Sequence, residues 1–184
     1  MTNKYTREQI QEATEGLGYK YFSNGEYNIN IIGIRNSNTN GVVTNKFDDL
    51  ITVSYKCEHG GWIYNEYPCT TDPGDDWMEN PWIDKIGCAV LKPGQYKGSH
   101  KLRLHSGKYL ALGQKENVTV YRDNNRNDKY EFDESTCDVN KWSAGCQVIA
   151  SNDDWFAFLE ICQTARESWG NSFSYTLIES KNIK

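Results

Sequence analysis

The class of fold is decided by the stretch Tyr27–Ile34, YNINIIGI, in which isoleucines first alternate with polar residues and then run together. β-Branched residues in this pattern are typical of a strand with a buried face. The stretch Leu50–Tyr55, LITVSY, repeats the pattern. Between the two, Asn36–Asn45 is rich in Asn, Ser, Thr and Gly, which favour loops. The sequence therefore predicts two strands separated by a loop.

Further strands are expected in the second half of the chain. Short β-type runs are separated there by turn residues at hairpin spacing, at Cys88–Leu91, Leu102–His105, Tyr109–Leu112 and Val118–Tyr121. Before them, Glu58–Lys92 contains three Trp, three Pro and the turn sequence Asp72-Pro73-Gly74. We expect a long ordered loop in this segment and a meander or small barrel after it.

A helix is predicted near the start of the chain, at about residues 6–17. Thr6 followed by Gln9 has the pattern of a capping box. Ile10, Ala13 and Leu17 fall on one face of that helix. The expected helix is short and weakly amphipathic.

A second helix is predicted near the end of the chain, at about residues 153–168. Asn152 or Asp153 caps it, and one apolar stripe runs along it through Trp155, Phe158, Leu159 and Cys162. Gly170 ends the helix, and the alternation in Phe173–Ile178 predicts a closing strand.

Length and composition favour one domain over residues 1–184. The chain is 38% hydrophobic, which is enough for one core, and the elements above define an α+β class, mainly β, with a β-rich core at about 27–150. The net charge of −5 argues against binding to nucleic acid, which requires a basic face. No stretch reaches the roughly 20 apolar residues that span a bilayer, so we expect no membrane insertion.

The six cysteines are expected to be mostly reduced and buried, because the first residues lack the apolar segment of a secretory signal. Cys57 and Cys69 are the expected pair if any disulfide forms. Together with His59 they offer zinc ligands, but the spacing does not fit a zinc finger. Phosphate-binding glycine motifs are absent as well. We therefore predict neither a metal nor a cofactor.

The segment with most chemical content is Trp142–Ile149, WSAGCQVI, in which Cys146 follows a small flexible turn and precedes an apolar run. A cysteine in this position can lie exposed at the edge of a sheet. The small residues Ser143 and Gly145 give a substrate carbonyl access to the sulfur, and backbone N–H groups near Gly145 can hold an oxyanion. The alternative is a buried cysteine at the start of a strand.

Several motifs together carry a resemblance to a known family. Ser143-Ala144-Gly145-Cys146 resembles the Ser-x-Gly-Cys motif of the L,D-transpeptidase catalytic domain. Four further segments look like an uncharacterised branch of that superfamily, found in phages and bacteria: Phe47–Asp49, Thr70–Gly74, Pro93–Tyr96 and Val120–Asp123. The resemblance covers about residues 29–178. It implies a small twisted sheet or barrel of the L,D-transpeptidase type and a cysteine nucleophile that attacks peptidoglycan stem peptides.

The chain departs from this family where the catalytic histidine is expected. Asp133 stands at that position, and no His lies between His105 and Cys146. A carboxylate beside the sulfur disfavours the thiolate. His105 is a candidate base if its strand lies beside the Cys146 turn, with Asp133 orienting the ring. The alternative for His105 is a structural histidine.

Two more residues are candidates for substrate binding. Arg122 follows an apolar run, and its guanidinium can bind a stem-peptide carboxylate through two parallel hydrogen bonds. Its alternative is an ordinary surface ion pair with Asp123. Trp142 is expected either to form a wall of the cleft or to fill the core.

The sequence leaves two hypotheses for function. The first is a cysteine-dependent transpeptidase or hydrolase with Cys146, His105 and Asp133 as catalytic residues, and with Ser143, Gly145, Arg122 and Trp142 binding substrate. The second is a catalytically degenerate member that binds the cell wall or serves as a structural module. In both cases peptidoglycan is the expected partner. Synthesis in the cytoplasm without a signal peptide is expected, with delivery by lysis, a virion or a secretion machine.

Overall fold

The computed structural model describes residues 3–39, 42–80, 88, 90–115, 122–123, 138–140 and 143–184. Within these residues the protein is mixed α and β, mostly strands, with three helices and a seven-stranded sheet that curls into a half-barrel. The predicted mainly-β class with a helix near each end is confirmed at this level. No helix in the described part of the chain has the length and apolar character needed to cross a membrane.

The described segments contain nine strands and three α-helices. The strands are β1 (Asn30–Arg35), β2 (Asp49–Lys56), β3 (Trp62–Thr70), β4 (Val90–Leu91), β5 (Gly94–His105), β6 (Tyr109–Gln114), β7 (Arg122–Asp123), β8 (Val148–Ile149) and β9 (Phe173–Glu179). The helices are α1 (Arg7–Gly16), α2 (Asp75–Glu79) and α3 (Asn152–Trp169), and a 3₁₀ turn follows β9 at Ser180–Asn182.

The strand order of the large sheet is β6-β5-β9-β1-β2-β3-β8. β9 runs parallel to β1, and the other pairings in this sheet are antiparallel. β4 and β7 form a separate two-stranded sheet. The strand predicted at Phe173–Ile178 is confirmed, but it lies inside the sheet between β5 and β1 rather than at an edge.

The two faces of the sheet pack against different helices. On one face, Phe158, Leu159 and Cys162 of α3 pack with inward residues of the strands such as Val53 and Leu177. On the other face, α1 contributes Ile10 and Ala13 to a second cluster, which also holds Ile32, Ile34 and Ile178. Adjacent residues on β1 and β9 thus point to opposite cores, as the two-residue period of a strand requires.

Both long helices match their sequence signals closely. Thr6 and Gln9 form the capping box, and Ile10 and Ala13 are buried, whereas Leu17 lies beyond the last turn and is 41% exposed. The cap of α3 is Ser151, which precedes both predicted caps, Asn152 and Asp153, and its hydroxyl accepts from the Asp154 N–H. Gly170 ends α3 with φ 78°, a conformation that glycine adopts without strain.

The prediction of a long loop over Glu58–Lys92 is wrong for much of that segment. Trp62–Thr70 forms β3, which pairs with β2 from Trp62 to Cys69. Pro68 is tolerated inside β3 because β8 adds pairing only at Cys69 and Thr70, so most of the strand has one paired neighbour. α2 then follows the turn at Asp72–Gly74.

The suggested pairing of Cys57 with Cys69 is also wrong. Cys57 follows the end of β2 next to the β2–β3 turn, whereas Cys69 pairs with Asp49 at the other end of the same hairpin. Eight residue steps at about 3.3 Å each separate the two positions, far beyond the reach of a disulfide. Both cysteines are free thiols, and Cys69 is completely buried.

Candidate functional site

Cys146 lies on a turn that is held together by the side chain of Ser143. The Ser143 hydroxyl donates to the Cys146 carbonyl at 2.8 Å and accepts from the Gly145 N–H at 3.1 Å. Ser143 is completely buried, whereas Cys146 is exposed. Gly145 has φ 115°, which a residue with a side chain rarely adopts. The turn therefore presents the thiol to solvent from a fixed backbone.

The turn is anchored to the segment that precedes α2. The Gly74 N–H donates to the Ser143 carbonyl at 2.8 Å. The Asn45 side-chain oxygen accepts from the backbone N–H of Asp75 at 3.2 Å and of Asn140 at 2.8 Å. A Cβ on Gly74 would lie 1.8 Å from the Asn140 carbonyl oxygen, so this contact requires glycine. Residues 138–140 and 143–146 are thus both held against the segment that precedes α2.

Gln147 connects the turn to the sheet. Its side-chain Nε2 donates to the Thr71 carbonyl at 3.3 Å, and its Oε1 accepts from the Tyr175 hydroxyl at 2.7 Å. Tyr175 belongs to β9, and its hydroxyl lies where a side chain on Gly33 would be. Both polar atoms of the Gln147 side-chain amide are therefore held by hydrogen bonds, directly after Cys146.

Beside Gln147 lies a half-buried charged cluster. The Arg35 guanidinium donates to the Thr71 carbonyl at 3.0 Å and to its hydroxyl at 2.9 Å, and it forms an ion pair with Asp72 at 3.2 Å. The Thr71 hydroxyl and N–H both donate to Asp49, at 2.7 and 2.6 Å. The Thr71 carbonyl therefore accepts from both Arg35 and Gln147, which links the cluster to the Cys146 turn.

Burial sets the titration of this cluster. It raises the pKa of Asp49 to about 6, against the hydrogen bonds from Asn36 and Thr71 that lower it. Burial also raises the pKa of Asp72, and the Arg35 charge opposes that rise. The pKa of the Cys69 thiol is raised well above its ordinary range by complete burial, with the nearby Asp49 charge adding to the effect. Cys69 is thereby kept as an inert thiol.

The structure does not place the strand of His105 beside the Cys146 turn. His105 is the last residue of β5 and pairs with Tyr109 of β6, and the two rings lie 5.2 Å apart in a tilted arrangement. Five strand-to-strand steps separate β5 from β8, the strand that follows Cys146. The condition for His105 to act as the base is therefore not met by the sheet, and its exposed ring at the tip of a hairpin is a surface feature.

A different histidine lies next to the Tyr175–Gln147 pair. The His100 ring packs edge-on against Tyr175 at 6.0 Å, and its Nδ1 lies 2.7 Å from the Ser99 hydroxyl. Because that hydroxyl donates to the Tyr96 carbonyl, we assign the proton of His100 to Nδ1. Burial lowers the pKa of His100 to about 4, so the ring is neutral at pH 7.

Of the three remaining candidate site residues, the structure describes the backbone of one and neither of the other two. Arg122 pairs with Leu91 in the small β4–β7 sheet, and the Leu91 carbonyl accepts from Arg35. The backbone of Arg122 therefore lies near the charged cluster. Asp133 and Trp142 lie outside the described residues. Among the residues that are described, no group of three could hold a metal ion.

Sequence reasoning missed Gln147, Tyr175, Arg35 and His100. Thr71 and Asp49 belong to segments that carry the family resemblance, but no role was predicted for either. A local signal existed for Gln147, which directly follows Cys146. The others come from distant strands, and the register shift in β5 between Tyr96 and His100 hides which way His100 points.

No protein-family model, curated protein or solved structure matches this chain. The fold and the site define a mainly-β half-barrel with an exposed cysteine on a turn held by a buried serine.

Proposed function

We propose that this protein is a cysteine-dependent acyltransferase or peptidase of the L,D-transpeptidase type that acts on peptidoglycan stem peptides. The observation that supports it is the exposed thiol of Cys146 on a turn fixed by the buried Ser143. A nucleophile needs this combination, because a substrate must reach the sulfur while the surrounding backbone stays in place. The choice of substrate rests on the resemblance of the Ser143–Cys146 motif and its companion segments.

In this proposal the Cys146 thiolate attacks a peptide carbonyl carbon and forms a thioester. The C–N bond then breaks, and the leaving amine takes the proton that the thiol released. An incoming amine or water next attacks the thioester, giving transfer or hydrolysis. The Gly145 N–H already donates to Ser143, so a substrate oxyanion would compete with that hydroxyl for this donor.

The proposal assigns different roles to the two sides of the turn. Gln147, held by Thr71 and Tyr175, positions the backbone that follows the sulfur. Arg35 is a fixed cation that shares the Thr71 carbonyl with Gln147. Asp133 and Arg122 remain proposed as the proton-handling and substrate-binding groups, and Trp142 as a wall of the cleft. His105 does not enter this version, because its hairpin lies at the other edge of the sheet.

A second candidate function is favoured by that same position of His105. If no basic group lies beside Cys146, the thiol is mostly protonated at neutral pH and reacts slowly. The fold would then serve as a wall-binding or structural module. Asp133 in place of the expected histidine points in the same direction.

The test is digestion of purified sacculi from several bacteria, with muropeptides read by mass spectrometry. The parent, Cys146→Ala and Cys57→Ala are compared, since Cys57 is a half-exposed thiol away from the turn. The proposal expects new products from the parent and from Cys57→Ala, and none from Cys146→Ala. If all three leave the sacculi unchanged but sediment with them, the binding module replaces the enzyme.

A further inference from the structure

The hairpin of β5 and β6 extends beyond the rest of the sheet. β5 pairs with β9 only as far as His100. Asn171 then holds the backbone of Leu102 through two hydrogen bonds, of 2.7 and 3.0 Å. Past this point, among the described strands, β5 and β6 pair with each other alone. Residues 103–109, called the ribbon below, are all exposed, whereas Leu110 packs against the core.

The hairpin carries an unbalanced positive charge. Over residues 94–115 there are five basic residues and no Asp or Glu, in a chain whose net charge is −5: Lys97, Lys101, Arg103, Lys108 and Lys115. The Lys115 ammonium donates to the Ser172 hydroxyl. None of the five takes part in the ion pairs found within the described residues. This region is therefore basic on an otherwise acidic protein.

Two large apolar side chains are exposed on the ribbon. Leu104 is 59% exposed and Tyr109 is 53% exposed. Leu104 pairs with Leu110 and Tyr109 with His105, so the two side chains lie on opposite faces of the ribbon. The ribbon closes through three residues, Ser106, Gly107 and Lys108, and the first two have positive φ. Its end is thus narrow, with an apolar side chain on each face.

We infer that the ribbon docks on the surface of an anionic lipid bilayer. Leu104 enters the boundary between headgroups and acyl chains, and Tyr109 lies at the headgroup level, where its ring and hydroxyl are both accommodated. Arg103 and Lys108 contact anionic headgroups, and their long side chains reach from the inserted tip back to the headgroup layer. The inference does not depend on the chemistry of Cys146.

A bilayer fits the ribbon better than a nucleic acid does. The phosphates of a nucleic acid would attract the same cations, but they would leave Leu104 in water. A bilayer surface accounts for the cations and the exposed leucine together. Binding through so few groups is reversible and weakens as salt screens the headgroup charge.

The experiment is co-sedimentation of the parent with vesicles of phosphatidylcholine alone and of equimolar phosphatidylcholine and phosphatidylglycerol. The parent is expected to bind only the anionic vesicles. Arg103→Gln and Lys108→Gln are each expected to weaken binding about five-fold. Leu104→Ser is expected to weaken it about ten-fold, because the leucine no longer enters the interface. Tyr109→Ser gives a second variant on the opposite face of the ribbon.

Matched controls come from elsewhere on the surface. Phe156→Ser removes a 65% exposed apolar side chain from α3, and Lys184→Gln removes an exposed charge; both are expected to bind as the parent does. Failure of the parent to bind anionic vesicles overturns the inference. Equal vesicle binding by Leu104→Ser and the parent also overturns it. Tight binding to a single-stranded oligonucleotide without vesicle binding would identify a nucleic-acid surface instead.

Discussion

The Tyr175 hydroxyl donates to Gln147 Oε1 at 2.7 Å, joining the residue after Cys146 to β9 inside the sheet. The two residues are 28 positions apart in the sequence, and α3 lies between them. Because Tyr175 is 7% exposed and fully packed, its hydroxyl has a fixed position. The orientation of the Cys146 turn is therefore set by the core of the protein.

The first prediction is that Tyr175→Phe destabilises the protein by about 1–2 kcal/mol, because Gln147 Oε1 loses its donor while the ring stays packed. Chemical denaturation followed by tryptophan fluorescence measures the change. Backbone amides of residues 143–149 are also expected to exchange faster in this variant. Tyr109→Phe, at an exposed tyrosine, is the control and is expected to be neutral. Equal stability of Tyr175→Phe and the parent would contradict this account of the turn.

The second prediction concerns the hydroxyl inside the turn. Ser143→Ala removes the donor to the Cys146 carbonyl and the acceptor of the Gly145 N–H at a completely buried position. A loss of about 1–3 kcal/mol in the free energy of unfolding is expected. Ser168→Ala, at an exposed position on α3, is expected to change stability little. A neutral Ser143→Ala would show that the turn does not depend on this hydroxyl.

The third prediction uses two glycines with opposite surroundings. Gly74→Ala places a Cβ 1.8 Å from the Asn140 carbonyl oxygen, so residues 138–140 must move away. We expect a loss of roughly 2–4 kcal/mol and a more mobile Cys146 turn. Gly16→Ala places its Cβ in open space at the end of α1 and is expected to stabilise by about 0.5–1 kcal/mol. Thermal unfolding of both variants checks the pair, and similar melting temperatures would contradict the prediction.

Local patterns in the sequence were sufficient for the elements whose signals are local. The caps and stripes of α1 and α3, and the β-branched runs of β1 and β2, were all readable without the structure. β3 was missed because Pro68 and the turn residues that follow the strand outweigh its aromatic side chains, which do not alternate strictly. Where β9 inserts in the sheet depends on long-range pairing, which no local pattern reports.

The candidate site was also only partly predictable from the sequence. Ser143, Gly145 and Cys146 are consecutive or nearly so, and their motif was visible in the sequence. The contacts behind them join Gln147 to Thr71 across 76 positions and Thr71 to Arg35 across 36. Such pairs come together only when the sheet forms, so their role follows from the fold. His105 was chosen for its residue type, and the strand order shows it at the far edge.

The fourth prediction is a pH dependence of stability from Asp49. Its pKa is about 6 in the folded protein, above the ordinary value of 3.8, because the carboxyl is buried. The folded state thus holds this proton to higher pH than the unfolded state does. The free energy of unfolding should therefore fall by about 3 kcal/mol in all as the pH rises from about 3 to about 7, and then level off.

Urea unfolding at several pH values measures this dependence, with Asp49→Asn as the comparison. The variant cannot titrate at this position, so its stability should fall less steeply over the same range. Some slope remains in the variant, since burial raises the pKa of Asp72 and Asp75 in the same direction. Identical slopes for the parent and the variant would show that Asp49 does not titrate in this range.

The fifth prediction is an order of cysteine reactivity that follows exposure. Cys146 is exposed, Cys57 and Cys88 are intermediate, and Cys69 and Cys162 are buried. Burial raises the pKa of Cys69 and Cys162, which removes their thiolate as well as their access to solvent. Iodoacetamide should therefore modify Cys146 first in the native protein, and the two buried cysteines only after unfolding.

Peptide mapping by mass spectrometry at increasing times gives the rate at each cysteine. Alkylation in denaturant is the control, because it should bring all the thiols to similar rates. Modification of Cys69 as fast as Cys146 in the native protein would contradict the buried position of Cys69 in β3. A Cys146 rate no higher than that of Cys57 would remove the main support for a nucleophile at the turn, since neither access nor thiolate character would then distinguish it.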